Sequence, residues 1–254
     1  MQREMMFDYK ALKRVISRFL PHASFLSRRQ HSKLGVVNWG NLRRLTPVSN
    51  VFGFERGQPI DRYYIETFLF RNDADIKGNV MEIGDATYTR MFGGDKVIKS
   101  DVLHVTNDNP QATLVGDLIT GDGIPSNRFD CMILTQTFPF IYDVKAAIAN
   151  AHSALKPGGI LLVTLSGISQ ISRYDMERWG DYWRFTNLSA KQLFGDVFGL
   201  SNIMVETHGN VLAACAFLQG LASCELKKSE LDHIDPDYQV LITVRAVKSD
   251  KINE

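Results

Sequence analysis

Apolar positions along the chain follow helical spacing at its start, change to short continuous runs in its middle, and mix the two toward its end. Leu12, Val15, Ile16, Phe19 and Leu20 recur at helical intervals with Lys13, Arg14 and Arg18 on the opposite side, and Pro21 ends the run. Few strand signals follow before Pro47. Residues 1–47 therefore read as a basic, largely helical extension and 48–254 as the main domain. Pro59 suits the first turn of a helix, where its missing N–H costs nothing, and Ile60, Tyr64 and Phe68 give that helix one apolar face. Strand candidates then follow at Val80–Gly84, Val97–Asp101, Thr113–Val115, Cys131–Leu134 and Ile160–Leu165. Val144, Ile148, Ala151 and Leu155 form a helical stripe closed by Lys156-Pro157-Gly158-Gly159. Ser189 with Gln192 has the spacing of a capping box, and Leu188 with Leu193 that of an apolar staple. Ile203–Val205 and Val240–Val247 read as late strands around a helix-prone stretch from Asn210 to Leu226. Near-continuous apolar strands alternating with helices predict an α/β fold, a parallel sheet covered on both faces.

Composition changes this picture little, and charge changes it locally. With 44% apolar and 22% charged residues the chain is of ordinary globular type, and a net charge of +1 gives no global attraction to nucleic acid. The first 45 residues carry +8 and the rest −7. The basic helix at 12–20 has two readings, a solvated face packed on the domain or a peripheral dock for an acidic membrane surface. Cys131, Cys215 and Cys224 have no metal-ligand spacing. No apolar stretch is long enough to span a bilayer, and there is no apolar signal core, so a cytoplasmic location is expected.

Ligands of open parallel sheets bind beyond the carboxyl ends of the strands, where strand order reverses. Gly84-Asp85 follows the first strand candidate, Asp101 ends the second, and Asp117-Leu118 comes soon after the third. Thr135-Gln136 follows the fourth and Ser166-Gly167 the fifth. An adenosine would give each a task. A carboxylate at Asp101 can accept from both ribose hydroxyls. Gly84 lets backbone approach the ligand without a Cβ. Asp117 can accept from the adenine amino group while Leu118 packs on the ring. No G-x-G-x-x-G is present, which argues against a dinucleotide.

This ordered series, with "VMEIG" before it and "ALKPGGILLVT" after it, resembles the class I S-adenosylmethionine-dependent methyltransferases, in particular their type 11 group. The resemblance covers about Gly78 to Leu165, and "YWRFT" before the helix at Ser189 extends it. It implies a Rossmann-like, doubly wound, mostly parallel seven-stranded sheet and S-adenosylmethionine as cofactor. Glu82 falls at the acid of the first motif, Gly84 at its first glycine, Asp101 and its neighbour Val102 at the ribose position, and Asp117-Leu118 at the adenine position. The family's glycine-x-glycine is replaced here by Gly84-Asp85-Ala86-Thr87-Tyr88, where Asp85 can face the cofactor's ammonium or sulfonium. Segments "TPVSNVFGFERGQPIDRYYIETFL" and "GISQISRYDMERWGDYWRFT" resemble a bacterial branch encountered beside glycosyltransferases. That likeness implies a sugar, glycan or other small-molecule acceptor and a glycosyltransferase as partner. The alternative is a catalytically inactive relative acting as a scaffold in a glycan-assembly complex.

Methyl transfer from a sulfonium needs mainly positioning and exclusion of water. An oxygen acceptor also needs a base, for which His104, His208 and Asp175 are the candidates. Arg173, Tyr174, Trp179, Trp183 and Arg184 supply aromatic faces with charged edges after the fifth strand, suited to an acceptor wall or to a packed cap. Arg62 and Tyr63 lie ahead of the sheet, where they can close the pocket from the other side.

Overall fold

The computed structural model describes Asn38 and residues 40–249. The amphipathic helix expected at 12–20, its membrane contact and most of the 1–47 extension lie outside the described residues. The chain divides between Arg43 and Arg44. Ahead of that division, the described residues form one 3-10 turn at Gly40–Leu42.

Behind it, seven strands form one sheet: β1 (Gly78–Ile83), β2 (Val97–His104), β3 (Leu114–Val115), β4 (Phe129–Thr135), β5 (Leu155–Ser166), β6 (Ile203–His208) and β7 (Leu241–Val247). Their order is β3-β2-β1-β4-β5-β7-β6. The first five run parallel, whereas β7 is antiparallel to both β5 and β6. The sheet is thus doubly wound and mostly parallel, as expected. Strand order reverses between β1 and β4, which places a crevice at their carboxyl ends.

Helices cover both faces because the strands bury both. On β4, Met132 and Leu134 face one core with Ile148, Phe138 and Phe194, while Cys131 and Ile133 face another with Ile65, Phe68 and Phe217. The first core is covered by α2 (Val144–Ala154) and α4 (Asn187–Phe198), the second by α1 (Ile60–Arg71) and α5 (Val211–Leu218). Two four-residue helices, α3 (Arg173–Met176) and α6 (Lys228–Leu231), are the others among the described residues. Asp143 starts α2 by accepting from the Ala146 amide at 3.0 Å.

Several boundaries differ from the sequence expectation. The fifth strand begins at Leu155 rather than Ile160, so Lys156-Pro157-Gly158-Gly159 lies within β5 instead of forming a turn that closes α2. Pro59 caps α1 from outside rather than entering its first turn. The capping box of α4 is formed by Thr186 and Ser189, three residues earlier than Ser189 and Gln192, because the Thr186 hydroxyl and the Ser189 side chain satisfy each other's amides. Gln192 instead donates to Asp196 at 2.5 Å, and Leu188 is exposed, so no staple forms there. The stretch 210–226 breaks after Leu218, at Gly220 with φ +69°. Finally, β2 continues to His104, so Asp101 lies inside the strand. Among the described residues no helix is long and apolar enough to cross a membrane.

Candidate functional site

A cavity of about 1000 Å³ opens at the carboxyl ends of β1, β2, β4 and β5, at the reversal of strand order. Gly84 forms its floor at φ +83°, and a Cβ built there would meet nothing within 4 Å. The backbone is therefore bare toward open space. Its turn is fixed from both sides: the Gly84 amide donates to the Leu103 carbonyl at 3.1 Å, and the Gly84 carbonyl accepts from the Asn109 side chain at 2.6 Å. Glu82 points away from the cavity. Its buried carboxylate accepts from the Thr89 amide and hydroxyl, each at 2.8 Å, and from the Tyr88 amide at 3.2 Å. Burial raises its pKa, against these hydrogen bonds. Those contacts start a π-helical turn, Thr89–Gly93, and pin the loop that follows Gly84. Asp85 closes a local turn, accepting from the Thr87 amide at 2.7 Å, and does not line the cavity.

The acid expected at the ribose position is elsewhere. Asp101 is 2% exposed, lies three residues before the end of β2 and is not part of the cavity wall. One carboxylate oxygen accepts from the Thr113 hydroxyl at 3.0 Å and sits 3.2 Å from Lys99 Nζ; the other accepts from Arg128 at 3.2 Å. The extra turn of strand carries His104 to the place where Asp101 was expected. Val102 is buried in the sheet, also off the cavity. His104 lines the cavity, with Nδ1 3.1 Å from both the Thr106 hydroxyl and carbonyl and its ring edge-on to Trp179, centroids 5.5 Å apart.

Asp117, Leu118, Thr135 and Gln136 all reach the cavity. Asp117 Oδ1 accepts from the Ile119 amide at 2.7 Å, which aims the carboxylate, and Leu118 is buried beside it. Gln136 stands at φ +49°, a costly conformation for a residue with a side chain. It is retained by the amide's bond to the Thr164 carbonyl at 3.0 Å and by the Ser166 hydroxyl, which donates to Gln136 Oε1 at 2.6 Å.

The opposite wall contains a pair that sequence reasoning half missed. Asp61 and Arg62, in the first turn of α1, both line the cavity. Asp61 Oδ1 accepts from the Arg62 amide at 2.9 Å, and Arg62 donates to the Tyr88 hydroxyl at 3.1 Å, which ties the pair to the loop after Gly84. Burial raises the Asp61 carboxyl above its usual range despite the opposing pull of Arg62. Burial disfavours the Arg62 charge, but Asp61 and Tyr88 more than offset that. Asp61 had only its place after Pro59 as a signal, and an acid there reads first as a helix-terminal residue. Tyr63, next along, turns outward to Asp232 at 2.5 Å and leaves the site.

The segment after β5 forms the outer wall. Arg173, Tyr174, Asp175, Trp179 and Arg184 line it. Trp183 does not: its indole donates to the Ile141 carbonyl at 3.1 Å and its ring stacks on Tyr142. Arg184 braces the segment, paired with Asp181 at 2.5 Å and bonded to the Gln170 carbonyl at 2.6 Å. Asp175 is held by the Ser172 hydroxyl at 2.5 Å at the start of α3, so a local contact occupies the proposed base. His208 is excluded as a base by position. It is buried in the core at the end of β6, stacked on Tyr64 and 3.0 Å from the Thr243 hydroxyl, with burial pushing its pKa down to about 4.

Residues 88–163 match a family model described as a methyltransferase domain. The match begins after Gly84 and runs through β2, β4 and most of β5. Comparison with curated proteins gave no match. Among solved structures, the chain is similar to an S-adenosylmethionine-dependent methyltransferase from Archaeoglobus fulgidus, with 12% identity over 74% of this chain and 94% of that one and a TM-score of 0.48. It is also similar to the N-methyltransferase NodS from Bradyrhizobium japonicum in complex with S-adenosylhomocysteine, with 13% identity over 80% and 94% and a TM-score of 0.47.

Proposed function

We propose that the protein is an S-adenosylmethionine-dependent methyltransferase acting on a small molecule, with a sugar or glycan as the favoured acceptor class. One observation carries this reading. Gly84, Asp117, Leu118, Thr135 and Gln136, drawn from separate strand ends, line a single cavity at the reversal of strand order. The methyltransferase-domain match over 88–163 supports it.

The wall fits such a cofactor in three respects. Bare backbone at Gly84 admits a ligand where a side chain would stand. Leu118 offers an apolar face for adenine and Asp117 an acceptor for its amino group. Asp61 and Arg62 present opposite charges side by side, complementary to the ammonium and carboxylate of a methionine end. S-adenosylmethionine bound there would supply a methyl group on a sulfonium. The protein's part is to orient the acceptor and exclude water, through Trp179 and His104 across the mouth.

A second reading, a non-catalytic scaffold in a glycan-assembly complex with a glycosyltransferase as partner, is favoured by one fact: the Asp101 carboxylate is fully engaged away from the cavity. Titration calorimetry with S-adenosylmethionine and S-adenosylhomocysteine separates the two. Binding with a rise in melting temperature supports the enzyme; ligand at 100 times its dissociation constant stabilises a fold by about 2.7 kcal/mol. No heat and no thermal shift would leave the scaffold.

A further inference from the structure

The outer half of the cavity differs in chemistry from the inner half. Arg173 and Arg178 both line it, and neither forms an ion pair among the described residues. Arg178 lies over the Tyr174 ring at 3.5 Å and donates to the Tyr174 carbonyl at 2.7 Å, while Arg173 reaches only the Met176 sulfur at 3.6 Å. The carboxylates lining the same cavity are engaged elsewhere. Asp181 pairs with Arg184, Asp175 accepts from Ser172, Asp117 from the Ile119 amide, and Asp61 lies beside Arg62. Glu177, exposed at the end of α3, is not part of the wall. Two guanidinium groups are thus left to answer an anion.

The rim beside them is apolar and in water. Val51 and Phe54 on one side, and Ile171 and Tyr174 on the other, are 52%, 59%, 48% and 66% exposed while lining the cavity. Exposed apolar side chains scattered singly need no explanation, but these four line one cavity, where an apolar part of a ligand would cover them. A sugar without a charge or an apolar part would leave the two cations without a counter-ion and the rim uncovered, so a sugar or glycan acceptor here would have to carry both.

We propose that the acceptor is an amphiphilic anion, with a phosphate or carboxylate held by Arg173 and Arg178 and an apolar segment lying across the rim of Val51, Phe54, Ile171 and Tyr174. This rests on the outer cavity being the acceptor site of the function proposed above. It narrows the acceptor to one with both parts on the same molecule.

The test is calorimetry on the full chain saturated with S-adenosylhomocysteine, using n-octyl phosphate, n-octyl glucoside and inorganic phosphate, each below its micelle concentration. Octyl phosphate is expected to bind at least about tenfold more tightly than either single-feature probe, since a hydrogen bond to a charged group contributes that much over octyl glucoside and burial of a few methylenes contributes that much over inorganic phosphate. The Arg173→Ala/Arg178→Ala double variant should bind octyl phosphate and octyl glucoside alike. Phe54→Ser should reduce octyl phosphate affinity toward that of inorganic phosphate. Both variants lie on the surface, and unchanged S-adenosylhomocysteine affinity verifies their fold. Equal affinity for all three probes overturns the proposal, as does tight octyl phosphate binding that the double variant retains. Failure of S-adenosylhomocysteine itself to bind refutes the methyltransferase reading instead, and is seen before any probe is added.

Discussion

His104 and Trp179 meet edge to face across the cavity mouth, with ring centroids 5.5 Å apart, one at the end of β2 and the other in the segment after β5. Such a pair contributes about 0.5–1.5 kcal/mol beyond its buried area. Here it joins two walls of the cavity. Trp179→Ala is expected to loosen the outer wall, seen as faster hydrogen exchange over residues 172–184, while S-adenosylmethionine affinity stays within about twofold because the cofactor half is untouched.

Asp101 yields a prediction opposite to the one its sequence position suggests. Its carboxylate holds Thr113, Arg128 and Lys99 rather than a ligand. Asp101→Asn should therefore lower stability by about 1–3 kcal/mol, the cost of leaving charge-assisted partners unanswered, and leave cofactor affinity unchanged. Denaturant unfolding and calorimetry on one preparation measure both. A weakened cofactor with unaltered stability would return Asp101 to the site.

Arg62 should show the reverse. Arg62→Ala removes a guanidinium that lines the cavity and is held by the Tyr88 hydroxyl. Cofactor affinity is expected to fall by about 1.5–3 kcal/mol, the range for a hydrogen bond to a charged group. S-adenosylhomocysteine, which keeps the methionine end, should lose as much. Adenosine, which lacks that end, should bind wild type and variant equally.

Glu82 tests whether the loop after Gly84 is pinned from behind. Glu82→Ala would orphan the Tyr88 and Thr89 amides and the Thr89 hydroxyl, at about 1–3 kcal/mol for each buried group left unpaired. The expected result is a large fall in melting temperature together with weaker cofactor binding, although Glu82 lies off the cavity wall.

His208 sets a pH dependence of stability. Its pKa is about 4 in the fold against an ordinary value of 6.5, so the unfolded chain binds the proton first as pH falls. Its contribution to stability is complete above pH 6.5 and is lost progressively down to about pH 4, where the loss reaches about 3 kcal/mol. Melting curves between pH 7 and 4 should show this fall, and His208→Gln, which retains a partner for Thr243, should flatten it.

How much of this was legible in the sequence depended on whether a residue's task was local. The strands follow from apolar runs and α2 from the helical stripe at Val144, Ile148 and Ala151, so the α/β fold could be read directly. Gly84, Asp117, Leu118, Thr135 and Gln136 could be placed because they sit next to strand ends. Asp101 could not, since nothing in Val97–His104 says where the strand stops; three further residues of pairing with β1 and β3 moved the acid out of the cavity. Asp61 was hidden for a different reason. It is brought to the cavity by the packing of α1, whose neighbouring Arg62 meets Tyr88 26 residues along the chain, a relation that no local pattern records. His208 and Trp183 had the chemistry of site residues, and only tertiary contacts with Thr243 and Tyr142 show where they went.

The wall at residues 48–54 is fastened to residues 217–220, at the end of α5 and far along the sequence. The Val48 and Ser49 amides both donate to the Gln219 carbonyl, at 2.8 and 3.1 Å, Gly53 packs directly on the Gly220 carbonyl, and Phe52 meets Phe217. During synthesis the ribosome must deliver the residues through Gly220 before the segment 48–54 has these partners to close against. A nascent chain ending short of Gly220 would carry most of the sheet with one side of its pocket missing.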